Sequence, residues 1–140
     1  MENGKWKKLF FIITIFFFSA SVFADTPTQQ LSADCTTKGT SPTGSTDPCS
    51  TKDRPTIVKA PDGYVFIKDS LQGGEFSGAG DHHACIIGWQ DEIEVIPNSK
   101  IFLPRTITLY AEARSPAGVF NSGKRGWAKC TYTVTATKYK

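Results

Sequence analysis

Two runs near the C-terminal end alternate strictly between apolar and polar residues. Ile107, Leu109, Ala111 and Ala113 alternate with Thr106, Thr108, Tyr110, Glu112 and Arg114. Ala128, Cys130, Tyr132, Val134 and Ala136 alternate with Lys129, Thr131, Thr133, Thr135 and Thr137. A period of two with one apolar face marks a half-buried antiparallel strand. The runs predict two long strands joined by a long loop, residues 115–126, and they require a second layer to cover the apolar face.

The stretch before them supplies that layer. Residues 56–60 and 64–68 read as strands around the turn Pro61-Asp62-Gly63, in which Pro presets φ and Gly accepts positive φ. Residues 84–89 read as a buried strand with Cys85, Ile87 and Trp89 on one face. Residues 91–96 read as another, with Ile93 and Val95 inward and Glu92 and Glu94 outward. Residues 101–103 read as a short edge piece before Pro104, and the glycine-rich stretch 72–80 reads as a loop. No 3.6-residue period follows the first 24 residues. Six or seven short strands in about 85 residues predict an all-β fold, a small antiparallel β-sandwich, over residues 55–140.

The run from Thr106 to Ala113, a loop with Pro116-Ala117-Gly118, and then Lys129-Cys130-Thr131-Tyr132-Thr133-Val134-Thr135 resembles the closing hairpin of immunoglobulin-like domains of the hyalin-repeat (HYR) type. The resemblance covers about the last quarter of the chain. The family's usual Asp-x-x-Gly-Asn turn is absent, and the loop is longer. The resemblance implies that the sandwich is immunoglobulin-like and that it serves as an extracellular adhesive module.

The N-terminal pattern is different. Lys5, Lys7 and Lys8 precede an apolar run over 9–18, followed by small residues ending at Ala24. That is the form of a signal peptide, and the run is too short for a membrane span. Cleavage after Ala24 is expected, giving a secreted or periplasmic chain that begins at Asp25 and has no stable membrane insertion. The whole chain has 16 basic and 13 acidic residues. Without 1–24 it has 13 and 12, a net charge of +1. Global attraction to nucleic acid is therefore not expected. Residues 25–54 are rich in Thr, Ser, Pro, Gly, Gln and Asp, with Leu31 as the one large aliphatic residue. Such composition predicts a flexible leader outside the sandwich.

Cys35, Cys49, Cys85 and Cys130 are an even set in a short exported chain, which predicts two disulfides. Of the three possible connectivities, Cys35–Cys49 and Cys85–Cys130 is the expected one. The first closes a loop within the leader, and the second joins two inward strand faces. Their loop lengths imply stabilisation of about 3 and 4 kcal/mol in the chain-entropy description. The absence of C-x-x-C pairing argues against zinc.

Three groups of residues bear on chemistry. Asp81, His82 and His83, with Glu75, offer metal-ligand types and an alternative reading as a metal-dependent hydrolase. Adjacent histidines on a strand point to opposite faces, so loop histidines in solvent are the expected reading. The acidic edge Asp91, Glu92 and Glu94 lacks the spacing of a calcium loop. The loop 115–126 carries Phe120, Lys124 and Arg125 and leads to Trp127 and Lys129. Alternation places Trp127 on the polar face with Lys129, unless a bulge turns it into the core. An exposed tryptophan beside cations suits a protein or glycan partner. The sequence thus predicts a binding module that is not an enzyme and needs no cofactor or metal. An inhibitor of a hydrolase is the alternative within the same class.

Overall fold

The structure, a computed structural model, describes residues 26–140, and of 74–76 only the backbone. The expected signal peptide, 1–24, and Asp25 lie outside the described residues. In chain order the strands are β1 (Thr28–Thr36), β2 (Pro48–Ser50), β3 (Thr56–Lys59), β4 (Tyr64–Phe66), β5 (Gln72–Ala79), β6 (His82–Glu94), β7 (Phe102–Arg114) and β8 (Trp127–Lys138). They form two four-stranded antiparallel sheets.

The two alternating runs are the axes of these sheets. β8 is central in one, with β1 on one edge and β4 and β5 end to end on the other. β7 is central in the second, with β6 on one edge and β2 and β3 end to end on the other. Their inward residues are fully buried: Ile107, Leu109, Ala111, Cys130, Val134 and Ala136 have no exposed surface. β7 and β8 do not pair with each other. The connection 115–126 crosses from one sheet to the other, so the expected closing hairpin is a crossover between two central strands.

The core has two halves. Leu31, Phe66, Ile107, Leu109, Val65 and Val134 are the large buried side chains. Nearer the 115–126 end the core is made of small residues and sulfur. Each cysteine stands opposite an alanine of its own sheet: Cys35 against Ala128, Cys130 against Ala33, Cys49 against Ala113 and Cys85 against Ala111. The small side chains leave room for the sulfurs between the sheets. Cys35–Cys49 joins β1 to β2 with Cα atoms 6.0 Å apart. Cys85–Cys130 joins β6 to β8 at 5.9 Å. Both expected disulfides therefore form, and both link one sheet to the other.

Several elements differ from expectation. The described part of the expected leader, 26–54, does not lie outside the sandwich. Within it β1 pairs with β8 from Thr28 to Thr36, and β2 pairs with β7. Leu31, Ala33 and Cys35 of β1 are buried while Ser32 and Asp34 face water, so the same period of two operates with smaller residues. The neighbouring strands supply the bulk. The glycine-rich stretch expected as a loop is β5. Its Gly78 lies so close to the His83 ring that a Cβ there would collide with it, so that contact with β6 requires glycine. The two strands expected at 84–89 and 91–96 are one, β6, interrupted at Asp91 (φ 56°) without a change of register. The edge piece at 101–103 is the start of β7, which continues through Pro104.

Candidate functional site

The loop 115–126 lies at the disulfide end of the sandwich, where it meets the segment 37–47 bounded by Cys35 and Cys49. The two are joined along their backbones. Thr37 N–H donates to Gly126 O at 2.8 Å, Thr40 N–H to Lys124 O at 2.9 Å, Gly118 N–H to Gly44 O at 2.9 Å and Gly123 N–H to Thr40 O at 2.9 Å. Ser115 N–H donates to Asp47 O at 2.9 Å. Thr40 and Ser122 form a parallel bridge.

Buried hydroxyls complete the bracing. Thr37, Thr40 and Ser115 are at most 4% exposed. Thr37 Oγ1 accepts from Gly126 N–H at 2.9 Å, and Ser115 Oγ accepts from Asp47 N–H at 2.7 Å. Thr40 Oγ1 donates to the carbonyls of Pro116 and Lys124. Buried polar groups are costly unless paired, so these contacts specify one loop conformation. Gly44 is required here: its φ is +87°, and a Cβ would approach Val119 N at 2.7 Å. Asp81 adds a third support by accepting from Ala117 N–H at 2.7 Å.

This bracing presents a short 3-10 turn, Val119–Asn121, to solvent. Phe120 is 97% exposed and Val119 54%. Asn121 Nδ2 donates to Ala117 O at 2.6 Å, and Lys124 Nζ donates to Asn121 Oδ1 at 2.9 Å. Lys124 and Arg125 are exposed. Of the residues singled out in the sequence, Phe120, Lys124 and Arg125 thus share the loop. Trp127 and Lys129 lie beyond it, on the outer face of the β8 sheet. Trp127 is half-buried between Thr36 and Ala79 of the flanking strands, while inward Ala128 beside it is buried. No bulge turns the indole into the core. The sequence reading missed Thr37, Thr40, Asp47 and Ser115. The signal available was the cysteine pair that brackets the segment.

The histidine group does not converge. Asp81 is engaged by the loop, His82 lies on the outer face with Nε2 3.8 Å from Glu112 Oε2, and His83 packs against Gly78. Among the described residues, no group of three or more His, Cys, Asp and Glu side chains is placed to hold a metal ion. A hollow of about 200 Å³ beside His82 is lined by Pro48, Ser50, Glu112 and Arg114. A larger one, about 370 Å³, lies away from the loop between Lys59, Asp62, Asp91 and Arg105, with charges of both signs. Among the described residues no helix is long and apolar enough to cross a membrane. The chain matches no family model, no curated protein and no solved structure.

Proposed function

We propose that the chain is an exported recognition module that binds a protein or glycan partner through the braced 115–126 loop. The observation that carries this reading is Phe120, 97% exposed on a backbone tied to the 37–47 segment. An aromatic side chain in water contributes nothing to the sandwich, whereas a preorganised aromatic loses little conformational entropy on binding. Lys124 and Arg125 stand beside it and suit an acidic partner by steering its approach. Export rests on the pattern of 1–24 and on four cysteines that all form disulfides, as oxidising compartments allow.

The test is affinity capture from extracellular or periplasmic extract with the chain starting at Asp25, in parallel with Phe120→Ala and Trp127→Ala. A partner lost with Phe120→Ala, at a cost of at least about 2 kcal/mol in binding and with an unchanged melting temperature, supports the loop. A folded Phe120→Ala variant that retains every partner overturns it. Capture of a hydrolase whose activity falls on binding would make the module an inhibitor. A surface protein or glycan would make it an adhesive module, as the hyalin-repeat resemblance implies.

A further inference from the structure

The outer edge of β6 is a second surface, independent of the loop. Thr51 N–H donates to Ala111 O at 3.0 Å, and Ala111 N–H donates to Thr51 Oγ1 at 2.9 Å. Both main-chain groups of Ala111 therefore point away from β6. Cys85, its partner across the ladder, turns its own N–H and C=O outward from the sheet, and alternation does the same at Ile87 and Trp89. These residues also face the core, yet they are only half-buried, whereas Ile107, Leu109 and Ala111 beside them on β7 are fully buried. The sandwich is incompletely covered along this line.

The other edges are protected. β1 carries exposed Asp34, and Thr56 Oγ1 donates to its Ser32 carbonyl at 2.6 Å. β2, β3 and β4 are three or four residues long, and β5 is broken by a register shift between Gly73 and Glu75, a bulge of the kind that blunts an edge. By contrast, residues 82–90 of β6 contain no lysine, arginine, carboxylate or proline, the usual devices against edge pairing. The regular stretch runs from His82, where β6 begins, to Gln90, next to the positive-φ residue Asp91, so its midpoint is Ile86.

We infer that this edge pairs with a second copy of the chain, β6 to β6 antiparallel, about a two-fold axis at Ile86. A closed two-fold interface is self-complementary, and this stretch meets the requirement. Cys85 of each copy lies opposite Ile87 of the other, and the two exchange backbone hydrogen bonds. On the outer face Ile86 meets its own image, flanked by Tyr110, its half-buried neighbour on β7. Ala84 falls opposite Gly88 and His82 opposite Gln90, so within 82–90 no formal like charges are opposed; the same register sets Asp81 opposite Asp91 just outside the paired stretch, where Gly80 and Asp91 turn at positive φ. The two β7 sheets become one continuous sheet, and the half-covered Ile87 and Trp89 are shielded. The pairing leaves the 115–126 loops free at the ends of both copies, giving a bivalent module.

The experiment is sedimentation velocity on the disulfide-intact chain across a wide concentration range, with amide hydrogen exchange at low and high concentration. The expected result is a monomer–dimer equilibrium with Cys85, Ile87 and Trp89 amides protected only at high concentration. Ile86→Lys sets two lysines against each other at the axis on an outward position. It is expected to raise the dissociation constant about tenfold or more, with disulfides and circular dichroism unchanged. A monomer at every concentration, with exchange at these amides independent of concentration, overturns the inference. So does a dimer that Ile86→Lys leaves intact. Protection of these amides by an added extended peptide, with no self-association, would assign the edge to a foreign strand and equally overturn it.

Discussion

Thr40 and Lys124 are joined twice. The Thr40 amide donates to the Lys124 carbonyl at 2.9 Å, and the Thr40 hydroxyl, buried beneath the loop, reaches the same oxygen at 3.3 Å. The hydroxyl also donates to Pro116 O, so one side chain holds both ends of the exposed turn.

Thr40→Val keeps the shape and removes the donor. Two carbonyls then lose their side-chain partner, and stability is expected to fall by about 1–3 kcal/mol. Denaturant unfolding measures that loss, and hydrogen exchange should show faster opening of the 118–124 amides. An unchanged exchange pattern would mean that the hydroxyl is not a brace.

The Cys35–Cys49 disulfide bounds the bracing segment. Its replacement by Cys35→Ala/Cys49→Ala is expected to cost about 3 kcal/mol by loop-closure entropy. Cys85→Ala/Cys130→Ala opens a longer loop and is expected to cost about 4 kcal/mol. Calorimetry of both pairs checks the order. Partner capture should weaken first in the Cys35/Cys49 variant, because that disulfide lies next to the loop.

The pattern of two was legible wherever the inward residues were large or the run was long, as in Ile107 to Ala113. It was not legible in β1, where Leu31, Ala33 and Cys35 are a modest apolar row among threonines, glutamines and serines. What makes that row a core strand is its partner, since Ala33 and Cys35 face Cys130 and Ala128 across the ladder. Strand identity there is a tertiary property. The same holds for β5, whose glycines read as a loop until the contact between Gly78 and His83 is known. The loop residues Phe120, Lys124 and Arg125 were visible by chemistry. Their support was not, because Thr37, Thr40 and Ser115 are ordinary polar residues until the fold buries them.

The standing of β1 can be measured. Leu31 is 1% exposed, and Leu31→Ala is expected to destabilise the chain by about 2–5 kcal/mol through the lost burial and the cavity left behind. A chain starting at residue 37 is expected not to fold, because it exposes one edge of β8 and removes the Cys49 partner. Native-like thermal unfolding of that truncated chain would return 25–36 to the role of a leader.

Charge reversal separates steering from anchoring. Lys124→Glu/Arg125→Glu is expected to slow association and alter its salt dependence, with a smaller effect on dissociation. Stopped-flow or surface-based kinetics at two ionic strengths reads this. Equal rates at both salts would take the cations out of the binding account.

The most direct test of the central claim is photo-crosslinking from the loop tip. A benzophenone side chain at position 120, with a control at position 57 on the outer face of the β7 sheet, is exposed to the native extracellular or periplasmic milieu. Ile57 is itself 55% exposed, so the control probe is also open to solvent. The account predicts one discrete crosslinked species from position 120 and none of that mass from position 57. Equal crosslinking from both positions, or none from position 120, would contradict it.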